Sequence, residues 1–177
     1  MQVNLQNLKK DMDLKELEQR VGYKFQNQKV LEQCLTHPSL TTRKQNYERL
    51  EFLGDAVLSF VVTEYLVREY SALVEGDLAK KRSYLVSGHL AAEIARKIGI
   101  GPFIMMSHSE QKSGGADNDA NLENVTESLI GSIYLDGGIE EAKKFILKFW
   151  GDYLDKEFCE KDINPKSYLQ EWSLEKG

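Results

Sequence analysis

Apolar side chains recur along this chain every three or four residues, the spacing of one face of an α-helix. Leu14, Leu17 and Val21 form the first such group, behind Asp13, a residue suited to cap a helix N-terminus. Val30, Leu31, Cys34 and Leu35 form a second, closed by His37-Pro38-Ser39, because the residue before a proline is pushed away from helical geometry. A long helix is predicted over 47–70. Asp77 is expected to open the next, and Ser87 to cap another whose stripe is Leu90, Ile94 and Ile98, with Gly99 and Gly101 as its stop. The polar, glycine-containing stretch 107–121 reads as a loop. A helix over 122–135 follows and is stopped by Asp136-Gly137-Gly138. The next runs from 139 to about 161, with Ala142, Phe145, Ile146 and Phe149 buried. Asn164-Pro165 begins a last segment, proline being favourable in a first turn. There are no paired strand patterns and no internal repeat, so the fold class is all-α.

The polar positions of two of these helices hold the candidate chemistry. At about 100° per residue, Glu48, Glu51 and Asp55 fall within about 60° of one another, with Leu50, Leu53, Val57 and Phe60 on the other side. Like charges at such spacings repel by a few tenths of a kcal/mol per pair. One reading is a solvated acidic face with Arg43 and Arg49 as partners; the other is a site for a hard divalent cation, which takes oxygen ligands. The helix over 122–135 repeats the layout. Leu122, Val125, Leu129 and Ile133 form its apolar stripe, and Asn124 and Glu127 share the other face. Packed side by side, the two helices would bring Glu51, Asp55, Asn124 and Glu127 together.

Composition changes this picture in one respect. The 177 residues, 41% apolar and 29% charged with three prolines, suffice for one sizeable core and describe a folded chain. No run of about 18 apolar residues is present, so no membrane span is expected, and the charged N-terminus lacks the apolar region of a signal peptide. Cys34 and Cys159 match no metal spacing, and a cytoplasmic location is the expectation. The net charge of −5 argues against a nucleic-acid binder taken alone; carboxylates gathered to hold cations would explain part of it.

The segment Glu48-Arg-Leu-Glu-Phe-Leu-Gly-Asp-Ala-Val-Leu58 resembles, almost residue for residue, the signature motif of the ribonuclease III family. Leu35-Thr-His-Pro-Ser39, Glu75-Gly-Asp-Leu78, Gly114-Gly115 and Glu127-Ser-Leu-Ile-Gly-Ser-Ile-Tyr-Leu-Asp136 resemble further family segments, in order. Asn164-Pro-Lys-Ser-Tyr-Leu-Gln-Glu-Trp172 is similar to the start of the double-stranded-RNA-binding domain that follows in bacterial members. The resemblance implies a catalytic domain over 1–161, and over 162–177 a linker and the first helix of a truncated RNA-binding domain. It implies the all-α endonuclease fold of the family, acting as a homodimer. The implied activity is Mg²⁺-dependent cleavage of double-stranded RNA, with Mn²⁺ able to substitute and no small-molecule cofactor. Products would bear 5′-phosphate and 3′-hydroxyl ends with short 3′ overhangs, in ribosomal and other RNA processing. Residue by residue, Glu51, Asp55 and Glu127 are implied metal ligands, Asp55 and Glu127 also as catalytic residues, and Glu48 is an acidic residue of the active-site valley.

One position departs from the family pattern. Asn124 stands where the family has Asp, a neutral oxygen donor in place of a charged one, which predicts weaker Mg²⁺ binding. The alternative is a protein of this fold with weakened catalysis, acting as an RNA-binding module. Glu123 is not expected to substitute, lying about 100° around the helix. Asp117-Asn-Asp-Ala-Asn121 resembles the opening of a calcium loop but lacks its glycine and closing glutamate. His37 suits a structural hydrogen bond, and His89 and His108 show no ligand spacing. Lys80-Lys81-Arg82 is either a solvated face or a phosphate contact. Phe52, Leu53, Leu58, Phe60 and Tyr65 read as mostly core, and the family resemblance implies that some of them lie at a dimer interface.

Overall fold

The computed structural model describes residues 13–41 and 45–155. Residues 1–12, Arg43, Cys159 and the whole of 162–177 lie outside them, so the expectations placed there stand as made from sequence. The described residues form eight α-helices: α1 (Leu14–Val21), α2 (Gln28–Cys34), α3 (Glu48–Glu69), α4 (Glu75–Leu85), α5 (Gly88–Ile98), α6 (His108–Lys112), α7 (Asp119–Gly137) and α8 (Ile139–Leu154). Two 3₁₀ turns, Gly101–Phe103 and Gly115–Asp117, join them. Among the described residues the one β contact is an isolated parallel bridge between Thr36 and Met105.

The chain is organised around α7. This helix packs against α3, α5, α8 and α2, and from Asn121 to Ile133 every side chain is buried except Glu123 and Asn124. The expected stripe of Leu122, Val125, Leu129 and Ile133 is buried as predicted. The opposite face is not a solvent face, however. Thr126 donates to the Ala91 and Leu122 carbonyls, Ser128 to the Cys34 carbonyl, and Ser132 to those of Ser128 and Leu129. Small hydroxyl residues that bond to nearby backbone let a helix bury polar positions at little cost.

Element ends differ from expectation for local reasons. Helix α4 opens at Glu75 rather than Asp77, because extended Val74 turns the chain into it without a side-chain cap. Helix α7 starts at Asp119, a turn early, since the Asn118 side chain accepts from the amides of Ala120 (3.0 Å) and Asn121 (3.3 Å). The expected loop 107–121 contains α6, capped by Ser107. Helix α8 is described as far as Leu154, where two tyrosines from α3 and its end meet it; its expected continuation to about 161 lies outside the described residues. Tyr70 donates to the Leu154 carbonyl (2.6 Å) and Tyr65 to the Asp155 carboxylate (2.8 Å). Gly99, at φ 72°, stops α5 in the left-handed conformation that glycine tolerates.

Helix α3 departs furthest from a simple amphipathic pattern. Leu50, Val57, Leu58, Val61, Val62 and Leu66 are buried, while Phe52 is 83% and Phe60 58% exposed. Phe60, and Phe52 with it, therefore do not belong to the core of the subunit. Lys80 and Arg82 are exposed, but Lys81 is buried with its ammonium 4.4 Å from the Tyr70 ring centre, so the basic run is not one phosphate-facing surface.

Candidate active site

Two glycines set the distance between the helices that bear the candidate carboxylates. A β-carbon placed on Gly54 of α3 would stand 2.5 Å from the Glu127 carbonyl carbon and 3.0 Å from the Gly131 amide nitrogen, and nearer still to the Glu127 carbonyl oxygen. One on Gly131 of α7 would collide with the Leu50 carbonyl in the same way. Backbone thus meets backbone, closer than any side-chain-bearing pair allows. Glu51 and Asp55, flanking Gly54, face Glu127 across this crossing, and the charges of both act on it.

Each acidic residue has a distinct setting. Glu48 opens α3, and its partner is Asn46. The Asn46 amide donates to the Glu48 carboxylate, the Glu48 amide N–H donates back to the Asn46 side chain (both 3.1 Å), and Gln33 holds the Asn46 carbonyl (3.2 Å). Asn46 is buried, so the pair is built rather than incidental. Burial pushes the Glu51 carboxyl up, and the charges of Glu48 and Glu123 add to it. Glu127 is 9% exposed. Its burial, together with the charges of Asp55, Glu123 and Glu51, raises its pKa from an ordinary 4.5 to about 8. Among the described residues no cationic side chain acts on Glu51 or Glu127; Arg43, the other partner expected for an acidic face, lies outside them. Asn124 is paired with Tyr47, a buried residue whose hydroxyl is pushed to about 12 by burial, against the contact with Asn124 and with the charges of Glu51, Glu48 and Glu110 adding.

His37 stands behind this site. Its Nδ1 accepts from the Ser39 amide (3.0 Å) and its Nε2 faces the Asn121 side-chain oxygen (3.1 Å). The Asn121 amide group donates to Glu110 (3.1 Å) and to the Gly115 carbonyl (3.1 Å). With both amide hydrogens committed, the Asn121 oxygen must accept, which sets His37 as the neutral Nε2–H tautomer. The ring also meets Tyr47 edge-on at 5.7 Å. The expected structural role of His37 is what the network gives it. Asp117 and Asp119 are likewise engaged with Arg96 (2.9 and 2.5 Å), in keeping with rejecting the calcium loop.

The structure therefore sets Glu51 and Asp55 of α3 near enough to Glu127 of α7 for their charges to act on it, with Asn124 on the same helix as Glu127 and Glu48 exposed at the start of α3. Sequence reasoning missed Asn46 and Tyr47, whose roles depend on contacts between segments, and it dismissed Glu123. That residue reaches both Glu51 and Glu127 electrostatically. Among the described residues, no three His, Cys, Asp or Glu side chains converge closely enough to form a ready-made metal cage. The donor chemistry nonetheless suits a hard cation: every donor is oxygen, and the charges of Asp55, Glu123 and Glu51 all oppose ionisation of the most buried carboxylate.

A family model described as Ribonuclease-III-like matches residues 27–153. Ribonuclease 3 of Ehrlichia ruminantium (strain Gardel) is 48% identical over 163 residues, covering 89% of this chain and 70% of that protein. Ribonuclease 3 of Rickettsia felis is 44% identical over 162 residues, with coverages of 89% and 72%. The crystal structure of the nuclease domain of ribonuclease III from Campylobacter jejuni superimposes with a TM-score of 0.76 at 39% identity, over 82% of this chain and 99% of that one. A second structure of that domain, with a TM-score of 0.74 at 40% identity over 78% of this chain and 99% of that one, concerns structural flexibility in a region involved in dimer formation.

Proposed function

Since the chain belongs to the ribonuclease III family of endoribonucleases, we propose that it hydrolyses double-stranded RNA at the α3–α7 cleft with the help of Mg²⁺, for which Mn²⁺ can substitute. The observation that carries this reading is Glu127: a buried carboxylate, surrounded by Asp55, Glu123 and Glu51, in a fold whose described residues offer it no cation. Such an arrangement is costly in the empty protein and becomes favourable when a divalent ion enters.

Glu51, Asp55, Asn124 and Glu127 would hold the ion. When bound, it supplies polarisation of the scissile phosphodiester and a lowered pKa for water. The protein's part is positioning. The Gly54–Gly131 crossing sets the spacing of the ligands, Tyr47 orients the Asn124 amide, and Asn46 holds Glu48 at the rim of the valley. Asp55 and Glu127 are the residues assigned to the reaction itself, and Glu48 supports them. The products are 5′-phosphate and 3′-hydroxyl ends with short 3′ overhangs. The substrate's wide, shallow minor groove lends itself to recognition by shape.

The working unit is a homodimer. Phe52, Phe60 and Val67 lie along the exposed side of α3, with Leu135 of α7 also exposed; large apolar side chains so placed need a partner. We also assign 162–177, outside the described residues, to a linker and the start of a double-stranded-RNA-binding domain. Among the described residues no helix is long and apolar enough to cross a membrane, in keeping with a cytoplasmic enzyme of ribosomal and other RNA processing.

The test is incubation with a long perfect RNA duplex, with and without Mg²⁺, beside a single-stranded control. Cutting of the duplex alone, and only with the ion, is expected. A folded, dimeric protein that leaves the duplex intact in Mg²⁺ would overturn the reading in favour of an RNA-binding module with lost catalysis.

A further inference from the structure

Glu123 lies against the bare backbone of Gly88. It leaves α7 one residue before Asn124, and its carboxylate lies over Gly88, the first residue of α5, where any β-carbon would overlap it. The N-terminal end of a helix favours a negative charge, and α5 begins at Gly88. From there its charge reaches Glu51 on α3 and Glu127 on α7. The second and independent sign that this place awaits a ligand is Glu127 itself, a carboxylate more than nine-tenths buried where α3 and α7 cross.

We propose that Glu123 is a positioning residue of the cation site, supplying from its seat on Gly88 the negative charge that the neutral Asn124 does not bring. The inference rests on the cation reading above. The four residues assigned as ligands carry three charges; Glu123 provides a fourth without entering the ligand set. Position around the α7 axis alone hides this. At one residue from Asn124 the side chain leaves the helix in another direction, but glutamate is long, and the bare backbone of Gly88 lets it lie beside the cleft.

The competing role for Glu123 is structural, a carboxylate that favours the start of α5. The two roles separate in a measurement of metal binding. The RNA-free protein is titrated with Mn²⁺, the free ion being read by electron paramagnetic resonance, and thermal unfolding is followed in parallel without metal. Removing a partner from around a metal's ligands commonly costs ten- to a hundredfold in affinity. Glu123→Gln is therefore expected to weaken Mn²⁺ binding about tenfold. Adding Asn124→Asp to that variant, which returns the charge of the cleft to its original value, should restore affinity to within about threefold of the unaltered protein. A structural role alone would lower the melting temperature and leave affinity within twofold, and that result overturns the proposal. Glu127→Gln is the control. If it abolishes binding while Glu123→Gln does nothing, this inference fails and the cation reading survives. If the unaltered protein takes up no Mn²⁺, the reading beneath it fails as well.

Discussion

Glu127 makes the metal-free protein less stable than it could be, and Glu127→Gln should show by how much. The folded carboxyl titrates at about 8 against an ordinary 4.5 because burial, Asp55, Glu123 and Glu51 all oppose its charge. The folded pKa is raised, so the folded state binds the proton more tightly than the unfolded chain. Stability from this group is fully present below about pH 4.5 and is lost progressively as pH rises to about 8. At 1.36 kcal/mol per unit the displacement corresponds to roughly 5 kcal/mol, and side-chain relaxation and water entry reduce what is measured to about 2–4 kcal/mol. Glutamine keeps the shape and cannot ionise. Urea unfolding of both proteins in EDTA, from pH 5 to pH 9, should give curves within about 1 kcal/mol at pH 5, with the variant about 2–4 kcal/mol more stable at pH 9. Parallel profiles across the range would refute the reasoning, because they would mean that Glu127 is no harder to ionise in the fold than outside it. Added Mg²⁺ should reverse the order, stabilising the unaltered protein more than the variant.

Three further outcomes follow from the geometry. Gly54→Ala ought to stabilise a helix by about 0.5–1 kcal/mol on intrinsic preference alone; here the added carbon must push α7 away by about 1 Å, so a loss of about 1–3 kcal/mol in chemical denaturation and of about a hundredfold in cleavage rate is expected. Phe52→Glu removes an exposed ring from both halves of a symmetric contact, about 3–6 kcal/mol in all, and should shift sedimentation from dimer to monomer at micromolar concentration. Asp136 accepts from the Tyr23 hydroxyl (2.8 Å) and from the amides of Gln26 (2.7 Å) and Asn27 (2.9 Å). Burial opposes its ionisation, but these donors together hold the carboxyl below its usual 3.8. Asp136→Ala should therefore cost about 2 kcal/mol at neutral pH, and the difference from the unaltered protein should shrink as pH falls below about 4, where the stabilising carboxylate is protonated.

Much of this site could be read from the chain because helical periodicity is a local property. The spacing of Glu48, Glu51 and Asp55 against Leu50 and Val57, and of Asn124 and Glu127 against Val125 and Leu129, follows from one rotation per residue and needs no knowledge of the neighbours. What periodicity does not contain is how two helices meet. Gly54 and Gly131 read as ordinary helix positions until their backbones are seen in contact, and the same is true of Gly88 beneath Glu123. Burial was misjudged for a related reason. Phe52 and Phe60 are apolar, yet they stand outside the core that the described residues form. The early start of α7 was missed because Asp119 and Ala120 lie in a polar stretch, and Asn118 becomes a cap only through its own side chain.

The most direct test of the central claim is anomalous diffraction from crystals of the RNA-free protein soaked in Mn²⁺. One strong peak in the cleft between α3 and α7, with oxygens of Glu51, Asp55, Asn124 and Glu127 around it directly or through water and Glu123 still seated on Gly88, is the result predicted. An empty cleft with full manganese occupancy elsewhere on the protein would contradict the account.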